Sequence, residues 1–291
     1  MSTQNVLFDA PGPKARRRHL VLTLLAAVVL VALLGLVLLQ LDEKEQLTAE
    51  KWNPLLTRDV WVEYLLPGIV NTLRAAAISV VLALAFGLVF GMGRLSHLRP
   101  VRWVCGVVVE FFRAVPVLLM MYFTFLLYAL NEVFPSDLNS LAAVVTALTL
   151  YNGSVIAELV RSGVYSLPSG QGEAGLSIGL TPPQVLRSIQ LPQALTAMLP
   201  ALVSQLVVIL KDSALGTAIT YPELLEQAKN VGTAYANVIP AYVVAALIFI
   251  ALNFGLSLAA SRIEHRLSKR GRTTLHEATA VPAPATPGPT V

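Results

Sequence analysis

Charged residues and cysteine are both scarce in this sequence. Only 13% of the 291 residues are charged, whereas a soluble domain of similar length has about a quarter. The single cysteine, Cys105, excludes an internal disulfide framework. The four histidines fall in flanks or tails, and neither a His-Glu-x-x-His motif nor a Cys/His cluster is present. These absences argue against a metal-dependent enzyme, and also against an intramembrane hydrolase, which needs a base beside its nucleophile.

Apolar residues, in contrast, make up 55% of the chain and gather in long runs. A helix needs about 20 apolar residues to cross a hydrocarbon core of roughly 30 Å. The first run is longer than the apolar region of a signal peptide and has no cleavage motif after it, which favours a retained anchor. The sequence predicts an all-α membrane protein with six transmembrane helices, over residues 20–41, 62–91, 104–130, 138–160, 194–210 and 238–260.

Basic residues gather on one side of the predicted membrane. They precede the first run, separate the second from the third and follow the sixth, whereas segments 42–59 and 131–137 lean acidic. The positive-inside rule then places both termini in the cytoplasm of a multi-pass plasma-membrane protein. Residues 1–19 become a basic cytoplasmic segment and 42–61 an extracellular linker. Residues 263–291, which end in a stretch rich in Pro, Ala and Thr, are predicted to be a disordered cytoplasmic tail.

The stretch 170–180, GQGEAGLSIGL, has the glycine spacing of a dinucleotide fingerprint. It follows a predicted helix rather than a strand, however, and no acidic residue lies about 20 positions downstream. The stretch also lacks the lysine of a phosphate-binding P-loop, because Leu176 occupies that position. Both nucleotide-binding interpretations therefore fail.

Residues 167–192 form a cytoplasmic loop with predicted structure of its own. Its first part is expected to form a short helix that Gly179 ends, because a residue tolerant of the left-handed conformation is favoured there. Thr181 caps a second short helix that begins with Pro182 and has Leu186 on its apolar side. Such a helix–glycine–helix unit suits docking onto a soluble partner, although a loop without a partner would have the same shape.

The sequence GQGEAGLSIGLTPPQVLRSIQLPQAL in this loop resembles the EAA loop of bacterial ABC importer permeases. Gly175 replaces the third residue of that pattern, and the matching residues are Glu173, Ala174, Gly179, Ile189, Leu191 and Pro192. Four further segments resemble the polar amino acid branch of these permeases: GIVNTLRAAAIS (68–79), EFFRAVPVLL (110–119), YNGSVIAELVRSGVYSLPSGQGEA (151–174) and LKDSALGTAI (210–219).

The resemblance implies a type I ABC importer permease domain of five helices over residues 62–262, preceded by an extra transmembrane helix over residues 20–41. This extra helix and the preceding LFDAPGPKARRR resemble the second permease of actinobacterial glutamate importers. The implied substrate is a polar amino acid, above all glutamate, with glutamine or aspartate as close variants. The residues expected to couple the chain to an ATPase are Glu173, Ala174, Gly179, Leu180 and Leu186.

The resemblance also implies partners. An ABC ATPase homodimer is expected on the loop, with a second, different permease chain beside this one and a solute-binding lipoprotein outside. ATP and Mg are expected in the partner ATPase, with no cofactor in this chain, which is not itself an enzyme. Membrane lipid and the amino acid complete the expected set, and nucleic acid is not among them.

Polar residues inside the predicted helices are the other candidates. The uncharged ones either hydrogen-bond a substrate along the translocation path or bond back to their own helices. Lys211 and Asp212 lie at the outer end of the fifth helix, where lysine would attract an anion unless aspartate neutralises it, and the pair is interpreted as mainly architectural. The predicted path residues are Asn71, Thr72, Asn152, Ser154, Gln205, Lys211, Asp212 and Ser213.

Two charged pairs have helical spacing: Glu110 with Arg113, and Glu158 with Arg161. Charges at membrane depth are costly and tend to face partners or cavities, so these pairs are predicted to be structural and to lie near an inner gate, with contact to the substrate as the alternative. In the second predicted helix, Ala83, Gly87 and Gly91 lie four apart. That spacing permits close helix approach, either inside the subunit or between subunits.

An ion-coupled secondary transporter is the alternative function. Such a protein would use buried carboxylates to bind its coupling ion. The dependence of transport on ATP or on an ion gradient distinguishes the two classes.

Overall fold

The computed structural model describes the backbone of residues 12–278 and the side chains of residues 12–262. It confirms the all-α membrane fold: within the described residues, five continuous helices are long and apolar enough to cross a membrane, and a sharply bent helix pair makes a sixth span if it is counted as one. Short helical turns join the main helices. The main helices are α1 (Pro13–Glu43), α2 (Leu66–Arg94), α3 (Arg99–Ala114), α4 (Val117–Leu130), α5 (Ser136–Tyr165), α6 (Gly170–Ser177), α7 (Leu191–Asp212), α8 (Leu224–Ala234) and α9 (Val238–Ala278).

Helix α1 stands apart from the rest of the chain. None of its described residues is buried, so its apolar side chains are left to contact lipid or another protein. Because α1 is peripheral, it does not contribute to the core formed by the later helices.

The linker predicted over residues 42–61 is helical for part of its length. It contains the turns Ala49–Trp52, Asn53–Leu56 and Arg58–Val60, and a π-helical turn, Trp61–Leu65, leads into α2. Leu55, Val60 and Leu65 are buried in a cluster with residues of α8 and α9. The segment is therefore packed against α8 and α9 as well as connecting α1 to α2.

The third span predicted over 104–130 is not one continuous helix. The chain bends by 100° between helices α3 and α4. Pro116 lies between them, and a proline inside a helix removes a backbone donor and clashes with the preceding turn. Val115 is accordingly extended, with φ −82° and ψ 127°, as expected of a residue that precedes proline.

The α2–α5 pair forms the centre of the bundle. The predicted stripe Ala83, Gly87 and Gly91 is buried and faces α5, so its role is packing inside the subunit. A Cβ on Gly87 would lie 2.4 Å from Ile156 Cγ2, and one on Gly91 would lie 2.8 Å from Val160 Cβ. Small residues at these positions let the two backbones approach closely, as in other membrane helix pairs.

Helix α8 was not predicted from the sequence. Glu223 caps it, accepting hydrogen bonds of 2.8 Å from the backbone N–H groups of Leu225 and Glu226. The side chain of Glu223 is buried, and this burial raises its pKa to about 7. The cap is therefore a carboxyl group whose charge changes near neutral pH.

The disordered tail predicted over 263–291 is wrong in its first part, because α9 continues to Ala278. The reason lies in composition: residues 263–278 contain good helix formers such as Glu, Leu, Lys and Arg, and the first proline after them is Pro282. Residues 279–291 lie outside the described part of the chain.

The α2–α5 contact generates a first prediction. Gly87→Ala should destabilise the purified protein by about 1–3 kcal/mol, because overpacking forces the helices apart. The matched control is Gly106→Ala, since a Cβ on Gly106 would meet no atom within 4 Å and should leave stability unchanged. Thermal unfolding in detergent measures both, and equal melting temperatures for the two variants would contradict the packing described.

Candidate functional site

The loop 167–192, which we call the knob, has the predicted helix–glycine–helix form. Helix α6 ends at Ser177, and Gly179 follows in the left-handed conformation with φ +85°. Thr181 then begins the second helical part, formed by the turns Pro182–Val185 and Leu186–Gln190. The backbone N–H and the hydroxyl of Thr181 each donate a 2.8 Å hydrogen bond to Gln184 Oε1.

The two arms of the knob meet at Gly175. A Cβ there would lie 2.8 Å from Val185 Cγ2 and 2.9 Å from Ile189 Cδ1, so the contact requires the smallest residue. Gln193 Nε2 also donates a 3.1 Å hydrogen bond to Gln171 Oε1, joining α6 to the start of α7. The knob is therefore a unit with internal contacts of its own.

The outer surface of the knob combines one carboxylate with apolar side chains. Glu173 and Ala174 are exposed, whereas Leu180 and Leu186 are half-buried. The Glu173 carboxylate has no hydrogen bond or ion pair within the described residues. Leu176 is 50% exposed and Ile178 is 76% exposed; neither was among the predicted coupling residues, although both lie beside Glu173 in the sequence. This surface can accept a partner that offers a basic group and an apolar groove.

The predicted path residues Asn71 and Thr72 hold the start of α8. Asn71 Nδ2 donates to the carbonyl of Pro222 at 2.9 Å, and the Leu224 N–H donates to Thr72 Oγ1 at 3.0 Å. Thr72 Oγ1 also donates to the carbonyl of Gly68 at 2.9 Å. This is a bond back to its own helix, the alternative to a substrate contact that the sequence left open. Both side chains therefore fasten α8 to α2.

Asn152 and Gln205 form a polar pair inside the bundle. Gln205 Nε2 donates to Asn152 Oδ1 at 2.6 Å, and both residues are buried. Asn152 lies near the middle of α5, so the pair joins α5 to α7 at about half the depth of the bundle. Asn152 Nδ2 and Ser154 Oγ are also buried, and neither has a partner within the described residues.

The remaining path candidates lie where α7 ends. Lys211 is exposed, Asp212 is half-buried and Ser213 is buried. Ser213 Oγ donates to the carbonyl of Leu210 at 2.7 Å, which ties it to its own helix. Only Lys211 and Asp212 of this group are therefore open to another molecule.

The two predicted charged pairs belong to one larger cluster. Arg113 Nη1 lies 3.4 Å from Glu110 Oε1, and Arg161 Nη2 lies 2.6 Å from Glu158 Oε1. Arg94, at the end of α2, was not predicted as a member, yet it contacts both glutamates. Arg94 lies 16 residues before Glu110, in a different helix, so no helical spacing in the sequence links the two residues. The five charges come together only through tertiary packing.

Comparison with known proteins identifies the architecture. A family model described as binding-protein-dependent transport system inner membrane component matches residues 83–269. The solved structure of an amino acid ABC transporter with histidines matches with a TM-score of 0.64 and 26% identity, covering 71% of this chain and 95% of that one.

Two curated relatives are more similar in sequence. The glutamate transport system permease protein GluD of Corynebacterium glutamicum is 48% identical over 237 residues, which are 81% of this chain and 86% of that protein. The probable glutamine ABC transporter permease protein GlnP of Bacillus subtilis is 39% identical over 206 residues, covering 70% of this chain and 93% of that protein. The chain therefore belongs to the binding-protein-dependent transport system inner membrane component family and is a permease subunit of an ABC importer.

Proposed function

We propose that this permease subunit imports a polar amino acid, with glutamate as the principal substrate and glutamine or aspartate as its close variants. The support is the 48% identity to a permease named for glutamate transport and the 39% identity to one named for glutamine. Lys211, exposed at the outer end of α7, is a cation that suits an anionic substrate.

The structure of the knob supports the proposal that this chain is coupled to an ATPase. It presents the Glu173 carboxylate and the exposed Leu176 and Ile178 side chains on a unit with its own internal contacts. In our proposal it docks into a partner ATPase homodimer, which binds ATP and Mg and hydrolyses the nucleotide. A second, different permease chain completes the path, and an extracellular solute-binding lipoprotein delivers the amino acid.

Both chain termini and the knob lie in the cytoplasm in this proposal. Arg94, Arg99 and Arg102 lie at or just beyond the end of α2, on the side of the bundle that bears the knob. Acidic residues are common on the opposite side, in the segment between α1 and α2 and in the turn before α5. This asymmetry is the one that the positive-inside rule describes.

Cysteine labelling tests the orientation, in a background in which Cys105 is replaced by Ala. An impermeant thiol reagent should label Glu45→Cys and Phe134→Cys in intact cells, because these positions face outward. His97→Cys and Ser268→Cys should react only after the membrane is permeabilised. Labelling of His97→Cys in intact cells would refute this orientation.

Substitutions in the knob test the coupling. Glu173→Ala should weaken ATPase docking about 10- to 100-fold, since a charge-assisted contact contributes roughly 1.5–3 kcal/mol. Gly179→Val should have a similar effect, because a β-branched residue is strained at φ +85°. Uptake and the ATPase activity stimulated by loaded binding protein should fall together in the reconstituted complex, while substrate binding to the external protein stays unchanged.

The matched control for the knob substitutions is Gly170→Ala. Gly170 lies in α6, the helix that contains Glu173, and a Cβ on Gly170 would meet no atom within 4 Å. This variant should keep full uptake. Full stimulated ATPase activity in both Glu173→Ala and Gly179→Val would instead make the knob an ordinary loop.

A further inference from the structure

Five charged side chains meet at the inner ends of three helices. Arg94 ends α2, Glu110 and Arg113 belong to α3, and Glu158 and Arg161 belong to α5. Arg94 Nη2 lies 3.0 Å from Glu110 Oε1, and Arg94 Nη1 lies 2.7 Å from Glu158 Oε2. The second contact is an ion pair rather than an aligned hydrogen bond. A single guanidinium thus contacts the carboxylates of both neighbouring helices.

Arg94 is the most protected member of the cluster. Its side chain is 11% exposed, compared with 23% for Glu158 and 59% for Glu110. A planar guanidinium with five donors can bridge two carboxylates, which a lysine ammonium does less well. Ion pairs at exposed positions contribute little to stability, so the contact between Arg94 and Glu158, the two least exposed members, contributes most to holding the cluster together.

The cluster is not required to hold α2 against α5. The glycine contacts at Gly87 and Gly91 lie within two turns of Arg94 and already bring the two helices together. The charges act instead at the open inner ends, beyond the last of these close contacts. At these ends the charges also join α3 to α2, because Arg94 contacts a glutamate of α3 on the other side of the α2–α3 turn.

The cluster lies on the route from the knob to the rest of the subunit. Helix α5 ends at Tyr165 and α6 begins at Gly170, so a four-residue link joins Glu158 and its helix to the first helix of the knob. The inner end of α2 has no such link. A cavity of about 380 Å³, lined by residues that include Leu95, His97, Leu176 and Leu186, separates it from the knob. Helix α5 is therefore one route by which movement of the knob can reach α2, beside the contact that α7 makes with α2.

We propose that Arg94 is a positioning residue for energy coupling. By bridging Glu110 and Glu158, it makes the inner ends of α2, α3 and α5 move as one body when the knob moves. This inference rests on the proposed function, because it takes the knob to be the part that the ATPase displaces.

The test uses the complete complex reconstituted in proteoliposomes with the binding protein. Three quantities are measured for each variant: the yield and melting temperature of the assembled complex, the basal ATPase rate, and the amino acid taken up per ATP hydrolysed. Arg94→Gln should leave the yield, the melting temperature and the basal ATPase rate unchanged. It should lower uptake per ATP by roughly 3- to 30-fold, the effect expected of a residue within a coupled network. The matched control, Arg102→Gln, removes an exposed arginine that has no ion pair within the described residues and should behave as the parent.

Two further variants keep the proposal open to refutation. Arg94→Lys retains the charge and should assemble normally even if Arg94→Gln does not, but it should lose part of the uptake per ATP. The double variant Arg94→Gln with Glu158→Gln should be no worse than the more affected single variant, because both changes break the same link. Parental uptake per ATP in Arg94→Lys and Arg94→Gln, or additive losses in the double variant, would overturn the proposal. If the parent complex shows no ATP-driven uptake, the proposed function itself has failed.

Discussion

The close approach of α2 and α5 is the contact on which the rest of the subunit depends. Lipid tails are as apolar as the helix surfaces, so burial of apolar area cannot hold membrane helices together, and tight packing must do so. Gly87 and Gly91 allow that packing against Ile156 and Val160. The same contact sets where α5 delivers the knob and where Arg94 meets Glu158.

Polar groups are placed according to the cost of leaving them in lipid. Asn152 and Gln205 satisfy part of each other's hydrogen-bonding capacity inside the bundle, and five charged groups gather at the end of α2 that faces the knob. Lys211 and Asp212 at the end of α7 and Glu173 on the knob remain accessible to other molecules. In the function proposed above, these positions suit contact with substrate on one side of the membrane and with the ATPase on the other.

Much of this arrangement was predictable from local sequence. Long apolar runs gave the transmembrane helices, and the glycine and proline positions of the knob gave its two arms, because these features depend on neighbouring residues. Pro116, which breaks the third span, is a local signal that the prediction of a single span over 104–130 passed over. Two other features depended on distant residues. Asn71 and Thr72 were judged by their polarity, whereas their partners lie 151 and 152 residues away in the segment that starts α8. Arg94 joins its cluster only through tertiary packing.

The most direct test of the account is the energy source for uptake of labelled glutamate by the reconstituted complex. The account predicts that uptake requires ATP on the knob side of the membrane and loaded binding protein on the other side. Ionophores that collapse Na⁺ and H⁺ gradients should leave it unchanged, and unlabelled glutamate should compete for it more strongly than arginine does. Uptake that proceeds without ATP and stops when an ion gradient is collapsed would contradict the account and favour a secondary transporter.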